Sequence, residues 1–254
     1  MRQFDVFVFD DTPDFDSWTP LFEDPALGWF HTKNLNSKLD ELEAEWIVFA
    51  HRSIKVDRDF LNELAQVTEG FPMADAFAPR VKIGNKFEGG YLFDGNNGYW
   101  QISENSKMRF VAAPNPLIAV FSRRIIQRTG LFDTELPLEL QLADYAARMF
   151  HAGGKMFSVP YLVAEHESAN KPDAQEPTFN YKLKKVEKSI WDIFYMCLPP
   201  TYLISLTLHH PSVLSKWFQN KKVLQVKRTK ATDLSKLTEK FLKEITVSKA
   251  ERKG

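Results

Sequence analysis

Four groups of polar residues in this 254-residue chain stand where they can do chemistry. Asp10 and Asp11 follow the apolar run Phe4-Asp5-Val6-Phe7-Val8-Phe9, and His51 and Arg52 follow Trp46-Ile47-Val48-Phe49-Ala50, with Lys55 three residues further on. Glu139 and Asp144 lie on a stretch of helical spacing, and His166 sits between Glu165 and Glu167. Carboxylates accept hydrogen bonds and, in surroundings that raise their proton affinity, protons. Arg, Lys and protonated His do the opposite and neutralise negative charge, Arg through a planar fork that fits phosphate oxygens. Each group also has a plainer role. Asp10-Asp11-Thr12-Pro13-Asp14 is a turn-forming cluster, and Asp144 is placed for an i,i+4 ion pair with Arg148. Loop cations are commonly solvated surface, and a lone His between two acids is commonly structural.

The elements that must position these groups alternate in type. Residues 4–9 and 46–50 are aromatic and β-branched, too short for helices, and end in polar loops, so they are predicted as buried strands. Trp29-Phe30-His31-Thr32 reads as another strand. Leu35, Leu39, Leu42 and Trp46, spaced four, three and four apart, predict an amphipathic helix between them. Asp57 predicts the cap of a helix with Phe60, Leu61, Leu64 and Val67 on its apolar face, and Ser122 the cap of a short helix ending at Thr129-Gly130. A further helix follows Pro137, with Leu138, Leu142, Tyr145 and Met149 as its stripe and Gly153-Gly154 as its stop, and residues 155–160 read as another short strand. Asp144 lies about 130° from the centre of that stripe at 100° per residue, which predicts that it faces water or a cleft. Residues 84–110 are glycine-rich and predict hairpins or a mobile loop. The pattern is that of an α/β domain with a mainly parallel sheet. Such sheets bind ligands outside the carboxyl ends of their strands, which directs attention to loops 10–14 and 51–54.

Charge divides the chain. Lys+Arg and Asp+Glu balance at 33 each, yet residues 171–254 hold 17 basic against 8 acidic residues, leaving 16 against 25 in residues 1–170. An acidic body of residues 1–170 and a basic helical extension of residues 171–254 are expected, the latter ending in an amphipathic segment with Leu234, Leu237, Phe241 and Ile245 on one face. Cys197 is the single cysteine, which excludes an intramolecular disulfide and fits a reducing compartment. The start of the chain lacks the apolar core of a signal peptide, and the apolar stretch from Ile190 to Leu208 is broken by Asp192 and Pro199-Pro200. A cytoplasmic protein is expected.

The ordered set Ser122-Arg123-Arg124, Gly130-Leu131-Phe132-Asp133, Asp144-Tyr145-Ala146-Ala147-Arg148, Gly153-Gly154, Val159-Pro160 and His166 resembles the second half of family 2 glycosyltransferases with the GT-A fold. Residues 6–14 resemble that family's strand and acidic loop beside the base and ribose, and residues 46–50 the strand before its metal motif. The resemblance covers about residues 4–168 and implies a GT-A-like, Rossmann-like sheet flanked by helices. It places the start of the chain at the family's second strand. Two departures stand out. The family's paired carboxylates, which hold a divalent cation, are matched by His51-Arg52-Ser53. Its Glu-Asp pair, which includes the base, is matched by Gln141-Leu142.

The resemblance implies a nucleotide-sugar donor, with Asp10 and Asp11 near its base or ribose. His51, Arg52 and Lys55 then stand beside the diphosphate in place of a metal, since a cation there supplies charge of the same sign. Asp144 and Glu139 remain as candidate bases, and His166 matches a His that reaches the metal or phosphate. Loss of the carboxylate pair puts Mn²⁺ or Mg²⁺ in doubt as a cofactor. Tyr91, Tyr99 and Trp100 can stack on a sugar face. The expected function is transfer of a sugar to a saccharide or lipid-linked acceptor in surface polysaccharide assembly. The alternative is a non-catalytic GT-A-like binding or scaffold protein. The basic extension suits the inner face of a membrane, a protein partner or the acidic body itself, and nucleic acid is not expected as a partner.

Overall fold

The computed structural model describes residues 3–9, 19–94, 98–102, 107–134, 136, 138–167, 208 and 244–245. Within them β1 (Phe4–Phe9) runs parallel to β2 (Leu27–Thr32) on one side and β3 (Trp46–His51) on the other. Beyond β3 come β10 (Ile118–Ser122), β5 (Ala76–Ile83), β11 (Met156–His166) and the short β4 (Ile54–Lys55). β10 is antiparallel to both of its neighbours, while β11 is parallel to β5. All the long strands except β10 therefore share one direction, giving the mainly parallel α/β sheet expected. β6 (Lys86–Glu88) and β9 (Arg109–Phe110) pair at the margins of β5 and β11. β7 (Tyr91–Asp94) and β8 (Gly98–Gln101) form the hairpin expected of the glycine-rich segment.

The strands read as unbroken apolar runs because both faces are covered. On one face Val6, Val8, Val48, Ala50 and Phe77 pack with Phe60, Leu64 and Val67 of α1 (Arg58–Gly70). On the other, Phe7, Phe9, Ile47, Phe49 and Phe121 pack with Ile125 of α2 (Arg123–Thr129) and with Leu142, Tyr145 and Met149 of α3 (Leu138–His151). Asp57 caps α1 by accepting from the Phe60 N–H at 3.0 Å, and Ser122 caps α2 by accepting from Ile125 N–H at 3.3 Å. Phe132 stacks on Tyr145 at 4.0 Å between centroids, and the Asn36 carboxamide holds its backbone, accepting from its N–H and donating to its carbonyl.

Three expectations are corrected. The helix read from Leu35 to Trp46 is a single 3₁₀ turn, Leu39–Glu41. Local bonds of Asn34, Asn36 and Ser37 compete with a helix upstream, and Asp5 takes the N–H groups of Glu43 and Ala44 at 2.8 and 2.9 Å. The leucine spacing still works, because Leu35 is buried and Leu39 and Leu42 pack against the same cluster. Second, β1 is hydrogen-bonded directly to β3, so it occupies the place beside the central strand and not a second position. Third, the short strand expected at 155–160 continues to His166, with its pairing to β5 shifted between Ser158 and Val163 where Pro160 removes a donor.

Most of the basic extension lies outside the described residues, but Ile245 is fully buried in the cluster that contains α2 and α3. Among the described residues no helix is long and apolar enough to cross a membrane.

Candidate functional site

The equal register of β1 and β3 brings their carboxyl ends level at Phe9 and His51, whose rings meet edge to face at 5.6 Å. A tight turn, Arg52-Ser53, follows. Its backbone is held from three sides: His51 N–H donates to Leu117 O at 2.7 Å, Arg52 N–H to Phe9 O at 3.0 Å, and Glu167 N–H to Ser53 O at 2.8 Å. The last bond extends the pairing of β4 with β11, in which His166 lies opposite Ile54 and Glu165 opposite Lys55. Three segments far apart in sequence therefore converge on His51 and Arg52. Asp10 and Asp11, which follow Phe9 in the sequence, lie outside the described residues.

The His51 ring has a defined orientation. Ser53 N–H donates to His51 Nδ1 at 3.2 Å, and Ser53 Oγ lies 2.7 Å from the same nitrogen. Nδ1 is thus an acceptor, and the proton of the neutral ring belongs on Nε2. Burial lowers the His166 pKa, only partly offset by the charge of Glu167, so His166 is neutral near pH 7. Lys55 has its pKa raised by its hydrogen bond to Asp57, then by that carboxylate's charge and more weakly by Glu165. Asp57 is pushed up by burial, but the bonds from Lys55 and Phe60 outweigh this and its pKa is lowered overall. Lys55 and Asp57 meet at 2.8 Å, so reaching a ligand would draw Lys55 away from the cap of α1.

Behind the turn, Leu117 is held by Asn115. This fully buried residue accepts from Leu117 N–H through Oδ1 at 3.0 Å and donates from Nδ2 to Glu88 Oε2 at 3.3 Å. Neither Asn115 nor Glu88 stood out in the sequence. The available signals were Asn115-Pro116, a turn pair, and Gly89-Gly90 directly after Glu88.

The candidate base Asp144 differs from expectation. It is 2% exposed and pairs with Arg148 Nε at 2.9 Å, while Arg148 Nη1 donates to Leu131 O at 2.8 Å. It does not face water. Leu131 and Leu136, whose carbonyls Arg148 and Gln141 hold, lie against this side of α3, so helical geometry alone misplaced it. Gln141, also buried, donates to Leu136 O at 2.8 Å. Glu139 lies in the first turn of α3 with its side chain outside the described residues. Tyr91 is buried and its pKa raised, first by desolvation and then by the charge of Glu88, so it offers no open face to a sugar. The side chains of Tyr99 and Trp100 lie outside the described residues.

Among the described residues no group of three or more His, Cys, Asp or Glu side chains is placed to hold a metal ion. His51 and His166 provide nitrogen donors, which the described residues do not complete into a ligand set for a divalent cation.

No protein-family model matches the chain, and no curated protein matches it in sequence. Solved structures do match. GalNAc-T7, crystallised with UDP, GalNAc and Mn²⁺, superimposes with a TM-score of 0.55 at 11% identity, over 87% of this chain and 46% of its own. The chain thus spans less than half the length of that protein. The mannosyltransferase PcManGT from Pyrobaculum calidifontis, in complex with GDP-Man and Mn²⁺, gives 0.43 at 12% identity over 95% and 82% of the two chains. Residues 1–349 of S. aureus TarS give 0.41 at 10% identity over 65% and 60% of the two chains. The fold is the α/β fold of GT-A glycosyltransferases.

Proposed function

We propose that the chain is a glycosyltransferase that moves a sugar from a nucleotide-sugar donor to a saccharide or lipid-linked acceptor, in surface polysaccharide assembly. The observation that carries this reading is the convergence of His51, Arg52 and His166 at the carboxyl ends of β1 and β3. That is where an open α/β sheet binds ligands. A departing nucleoside diphosphate gathers negative charge, and Arg52 with the Nε2–H of His51 supplies donors and positive charge to it. Lys55 joins them when it leaves Asp57. Asp10 and Asp11, following Phe9, are assigned to the base or ribose, and His166 to the phosphate side. The acidic body, residues 1–170, carries the reaction, and residues 171–254 serve it as an extension at the inner face of a membrane or at a protein partner.

The pairing of buried Asp144 with Arg148 favours the second reading, a GT-A-like binding or scaffold protein that holds a donor without turning it over. Thermal-shift titration with UDP, GDP and their sugar conjugates, with and without Mn²⁺, tests both. The proposal expects stabilisation without metal that is lost in Arg52→Ala; no stabilisation by any of them defeats it. Release of free nucleoside diphosphate then separates enzyme from binder.

A further inference from the structure

At the carboxyl end of β5 the sheet displays a guanidinium that no carboxylate among the described residues neutralises, that of Arg80. We propose that Arg80, Phe87 and Tyr161 form an acceptor subsite, and that the acceptor is an acidic saccharide whose sugars carry a carboxylate or a phosphate. The proposal rests on the glycosyltransferase reading above and adds the class of acceptor to it.

Register places Arg80 beside the turn after β3. Val48 of β3 lies opposite Val120 of β10, and Val120 opposite Phe77 of β5. Three residues further along each parallel strand, His51 and Arg80 therefore stand level. Alternation puts both on one face, since Phe49 and Ala78, two residues before them, share the cluster that contains α3. Only β10 separates the two strands, so they run about 10 Å apart. An acceptor whose reacting hydroxyl lies at the turn after β3 would carry its next sugars across to Arg80. On the other side of β5, Lys82 pairs with Glu165 at 3.0 Å, and Glu165 lies opposite Lys55. One carboxylate there stands between two lysines.

The local structure holds Arg80 in place without satisfying it. Its Cζ sits 4.5 Å above the centre of the Phe87 ring, and Nη1 donates to Pro160 O at 3.2 Å. Nε is buried with no hydrogen-bond partner, while Nη2 is bonded to no described residue and is open to solvent. Burial lowers the Arg80 pKa, and no neighbouring charge opposes it. Desolvating a cation is costly unless an anion meets it, and an oxyanion at Nη2 supplies that partner. Two rings accompany the cation. The irregularity in the pairing of β11 with β5 turns Val159 and Leu162 into the α1 cluster and leaves Tyr161 between them, 56% exposed. Phe87 is 36% exposed. Aromatic faces take the C–H faces of sugars, so a fixed cation among open rings suits a sugar that bears a negative charge.

The test is calorimetric titration of full-length wild type, Arg80→Gln, Tyr161→Ala and Arg58→Gln. The probes are tetragalacturonic acid, its neutral methyl ester, glucose 6-phosphate and inorganic phosphate, with UDP and GDP titrated in parallel. Arg58, over the Phe22 ring at 5.0 Å, is the control for a stacked guanidinium elsewhere. Wild type is expected to bind tetragalacturonic acid, glucose 6-phosphate or both, the two arms telling carboxylate from phosphate, and to bind the ester at least about tenfold more weakly than the acid. Arg80→Gln and Tyr161→Ala should each weaken the acidic sugar about tenfold and leave UDP and GDP unchanged, with no effect in Arg58→Gln. Truncating the exposed Tyr161 ring leaves the core intact, so that variant reports even where Arg80→Gln alters stability. Failure of wild type to bind either acidic sugar, equal binding of the ester, or wild-type affinity in Arg80→Gln overturns the proposal. Inorganic phosphate binding as tightly as the sugars reduces the site to one for a bare anion and overturns it too. Loss of UDP and GDP binding in Arg80→Gln assigns Arg80 to the donor and likewise overturns it. An Arg80-dependent acidic sugar bound by a wild type that binds no nucleotide rejects the transferase reading while the saccharide site stands.

Discussion

The turn after β3 and the polar stripe of α3 both gather charged side chains, but they spend them differently. In α3 the charges are turned inward: Asp144 meets Arg148, Arg148 meets the carbonyl of Leu131, and Gln141 meets the carbonyl of Leu136. At the turn it is the backbone that is held, by Phe9, Leu117 and Glu167, while the side chains of His51 and Arg52 remain half-buried. A charged cluster that holds its own helix and loop is part of the scaffold, whereas one whose backbone is held by others can offer its side chains to a ligand. The first should therefore report on stability and the second on binding.

The largest effect is expected at Asp144→Ala, which leaves the partly buried Arg148 without its carboxylate. Breaking a buried pair costs about 3–5 kcal/mol, read as a lowered urea midpoint. Retained stability with lost turnover would instead make Asp144 catalytic and dissolve the contrast. Ile245→Ala follows, at about 2–4 kcal/mol for a fully buried aliphatic side chain; a loss near zero would show that the extension does not stabilise the body. Arg52→Ala should lower the urea midpoint by less than Asp144→Ala does and weaken nucleoside diphosphate binding by about 1.5–3 kcal/mol, measured by calorimetric titration.

The smallest effect belongs to Asp57→Ala, about 1 kcal/mol for the lost cap. Because the folded-state pKa of Asp57 is lowered, its contribution is complete above the unfolded carboxylate pKa and disappears as pH falls through the folded value. Urea melts of wild type and variant should accordingly differ at pH 7 and converge in acid. A difference that persists at low pH would mean that the Asp57 side chain acts through packing and not through charge.

Much of this arrangement was legible in the chain because it depends on local chemistry. The caps Asp57 and Ser122 and the apolar runs of β1 and β3 are short-range signals, and each forms where expected. The failures were mainly long-range. Leu35 to Trp46 has helical spacing, but Asp5, 38 and 39 residues away, captures the N–H groups of Glu43 and Ala44. Asp144 lies off the apolar stripe of α3, but it is buried and paired with Arg148, which reaches back 17 residues to Leu131 O. Asn115 reaches Glu88 from 27 residues away, a contact that no local pattern announces. Periodicity records the face of an element and not what the rest of the fold lays against it.

The burial of Ile245 also constrains the residues before it. The chain leaves the sheet at His166 and is in the core again at Ile245, so these two positions are held to one body. Any outside surface that recruits the segment around Ile245 must first compete with the seat that Ile245 occupies in the cluster of α2, α3 and the sheet. A single proteolytic cut between His166 and Ile245 would leave two fragments still held together, separable only when that seat is vacated.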